Sequence, residues 1–176
     1  MNLQGMKIAV LATNGFEDSE LVNPVAAAQN AGADVAIISL ESGSIIGSKD
    51  TEIDVNEVVS DVHYKDFDGL ILPGGVANPD RLRMDDRAVW FVKGFFDSDK
   101  PVAAICHAPW MIIEAGAAEG KQLTSWPSLK TDLENAGAEW VDEEVVKDGN
   151  LITSRNPDDL PAFTSAMVKL FIDSKN

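Results

Sequence analysis

The chain has one cysteine, Cys106, among 176 residues. One thiol builds neither an intrachain disulfide nor a cysteine-based zinc site. A lone thiol suits a reducing compartment, so a cytoplasmic setting is expected. Basic residues are also scarce: 14 Lys and Arg stand against 29 Asp and Glu, a net charge of -15. That charge repels nucleic acid and anionic membranes at long range, so neither is an expected partner. No apolar run is long enough to cross a bilayer. The stretch Met1–Lys7 has no basic region followed by a long apolar run, so no signal peptide is expected. No repeat, linker or low-complexity segment interrupts the chain. With 45% hydrophobic and 24% charged residues, one domain over residues 1–176 is expected.

What is present alternates between strand-length apolar runs and helical spacing. Lys7–Ala12, Asp34–Leu40, Asp68–Pro73 and Val102–Ile105 read as strands of a mostly parallel sheet. The segment Phe16–Gly32 reads as a helix, acidic in its first turn and stopped by Gly32. Glu41–Val59, punctuated by Gly43, Gly47 and Asp50, reads as a small antiparallel excursion at the sheet edge. Asp80–Asp97 has helical spacing, with Val89, Val92 and Phe96 toward the core and Trp90, Phe91 and Phe95 left over. Lys121–Ser125 is a short strand and Pro127–Ala136 a helix. Ala138–Val141 and Glu144–Lys147 precede a hairpin turn at Asp148-Gly149-Asn150, which leads into Leu151–Ser154. Asn156-Pro157-Asp158-Asp159 caps a last amphipathic helix. The predicted architecture is an α/β/α sandwich of flavodoxin-like type. In such sheets ligands bind beyond the carboxyl ends of the strands. Three of those ends stand out: Thr13–Glu17, Pro73-Gly74-Gly75 and Cys106-His107.

Cys106 is the focus. It ends a buried-looking strand, and Pro109 follows where the first turn of a helix suits proline. A sharp strand-to-helix turn holds a nucleophile clear of the sheet. Helix amides then favour a thiolate, so a thiol pKa below the free-cysteine range is expected. Two readings of Cys106 stay open, an activated nucleophile and a small buried apolar residue. Gly74-Gly75 reads either as backbone brought close to a ligand or as a tight turn.

The segments Gly15-Phe16-Glu17-Asp18-Ser19-Glu20-Leu21, Leu72-Pro73-Gly74-Gly75, Ala104-Ile105-Cys106-His107-Ala108-Pro109, Asn135–Asp142 and Ser154–Leu160 together resemble the PfpI-type (ThiJ/PfpI) intracellular protease family. That family is part of the class I glutamine amidotransferase-like superfamily. The resemblance covers nearly the whole chain. It implies Cys106 as nucleophile, His107 beside it as base, and Glu17 as the carboxyl that reaches the sulfur. It further implies a homo-oligomer in which an acid from a neighbouring subunit completes the set, at the position of Asp86. Aspartate stands there in place of the family's glutamate, one methylene shorter; read without the resemblance, Asp86 is a helix-start acid. Gly74, Gly75, Ala108 and Trp126 fall in the oxyanion and pocket region, with the amides of Gly75 and His107 as oxyanion donors. Ala108 departs from the family's usual glycine, and Trp126 stands where some relatives have tyrosine. His63 matches no motif and reads as surface. No cofactor and no metal site is expected.

Relatives of this type have been assigned deglycase, glyoxalase and peptidase activities. All begin with a thiolate attacking an electrophilic carbon. The expected function is a stress-protective cysteine hydrolase acting on small carbonyl compounds or their protein adducts. An intracellular peptidase, a redox sensor working through Cys106 oxidation, and a binding module with an inert thiol are the other readings.

Overall fold

A computed structural model describes residues 2–176. The chain begins with β1 (Lys7–Leu11), α1 (Asp18–Asn30) and β2 (Asp34–Ser39), the parallel crossover unit expected from the sequence. Next come β3 (Ser44–Ile46), β4 (Glu52–Asp54), β5 (Glu57–Val58) and β6 (Gly69–Leu72). Two helices, α2 (Ala77–Leu82) and α3 (Asp86–Asp97), lead to β7 (Val102–Ile105) and α4 (Pro109–Glu114). The chain closes with β8 (Gln122–Leu123), α5 (Lys130–Asn135), β9 (Glu139–Trp140), β10 (Val146–Asp148), β11 (Leu151–Ser154) and α6 (Leu160–Asp173).

Seven strands form one sheet in the order β10-β11-β7-β6-β1-β2-β5. Every pairing is parallel except β10 with β11, the hairpin predicted around Asp148-Gly149-Asn150. Alternating residues of β1 divide the core in two, as the two-residue strand period requires. Ile8 and Val10 face Leu21 of α1 and Phe163, Met167 and Phe171 of α6. Ala9 and Leu11 face the layer of α3, α4 and α5, including Phe91, Phe95, Met111 and Leu133. Helices on both sides of a largely parallel sheet make this a flavodoxin-like α/β/α sandwich. No helix among the described residues is long and apolar enough to cross a membrane.

Three expectations change. The 41–59 excursion does not extend the sheet edge as one piece. β3 and β4 pair antiparallel as a separate ribbon, whereas β5 joins the main sheet parallel to β2. The ribbon is tied instead to the loop after β1: Gly15 N–H donates to the Ile46 carbonyl at 2.8 Å, and Ile46 N–H to the Asn14 side chain at 2.8 Å. The helix expected over 80–97 is two helices. Asp85 interrupts it, its carboxylate accepting the N–H groups of Arg87 at 2.9 Å and Ala88 at 3.3 Å, which starts α3 afresh. The leftover aromatics of that helix are mostly core: Phe91 and Phe95 are buried, and Trp90 alone is exposed. Phe91 packs edge-on against both Phe67 and Phe95, contacts an amphipathic wheel drawn for one face does not anticipate.

Candidate active site

The carboxyl ends of β1, β6 and β7 converge, and Cys106 sits where β7 turns toward α4. Its φ is +66°, a left-handed conformation uncommon for a residue other than glycine. Two tethers hold it there. Cys106 N–H donates to the Ser154 carbonyl at the end of β11 at 3.0 Å, and the Cys106 carbonyl accepts Trp126 N–H at 2.9 Å. Non-glycine residues held in this region cost about 1–3 kcal/mol and persist where the surroundings dictate them. The turn aims the sulfur at its neighbour: Sγ lies 3.1 Å from His107 Nδ1. The His107 ring stacks on Trp126, centroids 6.0 Å apart, and meets the edge of Trp110 at 5.1 Å.

The carboxyl beside the sulfur belongs to Glu20, not Glu17. Glu20 lies one turn into α1, fully buried. Its Oε1 accepts Gly74 N–H at 3.1 Å, and its Oε2 has no hydrogen-bond partner among the described residues. The Cys106 sulfur is the neighbour that a proton on Glu20 can reach. Gly74 separates the two groups so tightly that a Cβ there would lie 2.7 Å from Cys106 Cβ and collide with Glu20 Oε1. Glu17, expected at the sulfur, is the N-cap residue of α1 and pairs with the Lys49 ammonium at the cleft mouth. The physical reason is helical phase. Glu17 precedes the helix and points along the rim, whereas Glu20, three residues on, turns its side chain inward under the β6 end.

The remaining predicted residues divide. The amides of Gly75 and His107, the two expected as oxyanion donors, are directed at the sulfur itself. At Gly75, φ is +79° and a Cβ would lie 2.7 Å from Glu17 N, so the backbone closes on the chain itself. Gly74 and Ala108 do not line the cleft: the Gly74 amide is spent on Glu20, and the Ala108 amide donates to Ile105 at 3.1 Å behind the elbow. Trp126 forms one wall and is exposed. Asp86 lies outside the Cys106 cleft of its own chain, exposed in a groove with Val62, His63 and Trp90. His63, expected at the surface, is half-buried there, its Nδ1 accepting Lys65 N–H at 3.2 Å. The side chain of His107 makes one hydrogen bond among the described residues, the one with Cys106.

Burial sets the electrostatics. It pushes the Glu20 carboxyl up to about 8, with the charge of Glu17 adding to the rise and the Gly74 amide opposing it. Burial likewise pushes the Cys106 thiol up to about 12, the Glu20 carboxylate adds to this, and the amides of Gly75 and His107 pull the other way. The lowered thiol expected from the turn alone is therefore not what the surroundings produce, burial being the main cause of the rise. A carboxyl raised to about 8, as that of Glu20 is, favours its protonated form near neutral pH. Its repulsion is then absent, and its O–H is a donor to a thiolate, so the two groups titrate as a coupled pair. Burial lowers His107, which keeps the imidazole neutral near pH 7 and able to accept the thiol proton.

Cys106, His107 and Glu20 open into a cleft of about 530 Å³, walled by Val76, Ala77, Trp126 and Pro157, with Glu17 and Ser48 at its edge. That volume suits a small-molecule substrate. Asn78 was not foreseen. Fully buried, it accepts Thr13 N–H at 2.8 Å and donates to the carbonyls of Pro73 and Gly74 at 3.0 Å each, stapling the β1 and β6 ends together. Asp18 and Lys49 were also missed. The Asp18 carboxylate accepts Lys49 and Thr51 N–H at 3.0 Å each and so docks the ribbon turn on α1. Nothing local in the sequence marks these three: Asp18 and Lys49 meet partners more than thirty residues away, and Asn78 joins the nearby Pro73 and Gly74 to the distant Thr13.

Among described residues no cluster of side chains suited to a metal is present. A buried cysteine in a left-handed elbow, with a buried carboxyl and a neutral imidazole, defines a cysteine-centred site on a flavodoxin-like sheet. Residues 6–170 match the DJ-1/PfpI family, and the chain belongs to it. General stress protein 18 of Bacillus subtilis is 46% identical over 169 residues, covering 94% of this chain and 98% of that protein. Deglycase PH1704 of Pyrococcus horikoshii is 44% identical over 165 residues, covering 94% of this chain and 99% of that one. The crystal structure of Drosophila melanogaster DJ-1beta superposes with a TM-score of 0.87 at 29% identity, covering 99% of this chain and 96% of that chain.

Proposed function

We propose that this chain is a cysteine-dependent hydrolase of the deglycase type, acting in the cytoplasm on small α-oxoaldehydes and their protein adducts. The observation that carries the reading is the Cys106 elbow, with Sγ 3.1 Å from His107 Nδ1 and the buried Glu20 on its other side. The deglycase and stress-protein relatives support the same reading.

The steps follow from the groups present. His107 takes the thiol proton at Nδ1. The sulfur forms a bond to the aldehyde carbon, and the oxygen that gains the negative charge faces the Gly75 and His107 amides. With an adduct, the carbon–nitrogen bond breaks as the carbon–sulfur bond forms, and the amine leaves with the proton. In the resulting hemithioacetal the first carbon loses its hydrogen as a proton and the neighbouring carbonyl carbon gains one, leaving a thioester. Glu20, protonated near neutrality and then ionised, is placed to move that proton. Water cleaves the thioester, releasing a 2-hydroxy acid and restoring the thiol.

We further propose that the working form is at least a dimer. His107 has no second partner among the described residues of its own chain, and Asp86 is exposed in an apolar groove with Trp90. Asp86 of a second copy would orient the imidazole.

Turnover assays with methylglyoxal, methylglyoxal-treated acetylated amino acids and peptide amides, wild type beside Cys106→Ser, test the activity. Consumption of the first two with release of a 2-hydroxy acid, lost in Cys106→Ser, is expected. Faster cleavage of peptide amides would replace this reading with the peptidase one.

A further inference from the structure

The cleft carries one carboxylate that the chemistry above does not use. Glu17 stands at its mouth, 18% exposed, and the ammonium of Lys49 is seated on it. Lys49 comes from the turn of the β3–β4 ribbon. Its backbone is fixed, Lys49 N–H donating to Asp18 Oδ1 at 3.0 Å, but its side chain is 69% exposed and rises through solvent. A cation therefore already occupies the entrance, delivered by the most displaceable kind of group a protein has. Exposed ion pairs of this kind contribute little to stability, so a ligand cation can replace the ammonium at small cost.

The surroundings favour a particular kind of cation. Val76, Ala77 and Pro157 offer apolar surface for a methylene stem. Trp126 is exposed and presents an aromatic wall to a planar cation. Glu20 is fully buried, and burial favours its neutral form, so Glu17 is the carboxylate presented at the mouth, and the overall charge of -15 concentrates cations around the whole molecule. A guanidinium that has added an α-oxoaldehyde at one nitrogen keeps its positive charge on the others, and its planar fork matches a carboxylate.

We propose that Glu17 is the specificity group of the cleft, holding the guanidinium of an arginine adduct in the place Lys49 fills, with Lys49 as an internal competitor. The proposal rests on the deglycase reading for the adduct, while the cation site itself is measurable without turnover.

Protection of Cys106 from iodoacetamide reads occupancy directly. Two probes suffice: Nα-acetylarginine amide and Nα-acetylcitrulline amide, alike in shape and differing in charge. In wild type the arginine probe should protect about 10-fold better at low salt, and the ratio should shrink as salt screens the pair. Glu17→Gln should bring the ratio close to one. Lys49→Met should raise the affinity of the arginine probe a few-fold. A ratio near one in wild type, or a ratio that survives Glu17→Gln, overturns the proposal. Turnover of methylglyoxal adducts of the same arginine amide and of a neutral acetylcysteine amide separates the two claims. If neither adduct is consumed but the protection ratio holds, the deglycase reading falls and the cation site stands. If both are consumed at equal kcat/KM and the protection ratio is one, the reverse follows.

Discussion

Glu20→Gln should change how stability depends on pH. In the folded chain burial raises the Glu20 carboxyl from 4.5 to about 8. A raised folded-state value means the folded form prefers the protonated carboxyl. Below about pH 4.5 both states are protonated and Glu20 costs nothing. Above it the unfolded chain ionises freely while the folded chain does not, so wild-type stability falls until about pH 8. Each pH unit in that window removes about 1.4 kcal/mol, a loss on the order of 4 kcal/mol by its upper end. Glutamine keeps the size and the acceptor for Gly74 N–H and never ionises. Chemical denaturation of both proteins at pH 5, 6, 7 and 8 isolates the effect as a difference. His107, lowered by burial, contributes a slope of opposite sign to both proteins and cancels. The variant should gain on wild type steadily with pH. Parallel profiles would show Glu20 ionised in the folded chain and would remove the protonated donor from the mechanism.

Three further outcomes are expected. Glu20→Leu should slow alkylation of Cys106 near neutral pH by about 10-fold or more, since a charge-assisted hydrogen bond of ~1.5–3 kcal/mol is lost; faster alkylation would mean that Glu20 acts on the sulfur mainly by repulsion. Asp85→Ala should cost about 1 kcal/mol through loss of the α3 cap, visible as a Tm drop of about 2–4 °C, and because Arg87 holds the Asp85 carboxyl below its usual value, the difference between the two proteins should vanish as pH falls through that lowered value. Light scattering should find subunits dissociating more readily at low salt, where -15 per chain is least screened; a fully active monomer would remove Asp86 from the catalytic set.

The sheet was legible because strand-length runs such as Lys7–Leu11 and Val102–Ile105 are buried on both faces and read as continuous apolar segments. The place of Cys106 was legible because a strand-length apolar run ends on it and Pro109 follows where a helix starts. The misplacement of the carboxyl at Glu17 has a simple cause. Two glutamates three residues apart flank a helix start, and the entry angle of the chain, set by Gly15 and the ribbon that binds it, decides which one turns inward. The thiol was misread because a turn shows its amides in sequence but not its depth of burial. Lys49 acts on Glu17 and Asp18, and Asn78 on Thr13, residues far along the chain, for which local pattern holds no signal.

Gly74 has a consequence for how the molecule matures. It packs between residues 20 and 106, and its amide fixes the first beside the second. The reactive pair therefore comes into being only when segments more than fifty residues apart have closed around one glycine. Contacts of such separation are costly to close and form slowly. A nascent or partly denatured chain carries an ordinary cysteine, with neither a buried carboxyl nor an aligned imidazole. The surroundings of Cys106 are thus a property of the finished sheet, present only in molecules whose central strands are already in place.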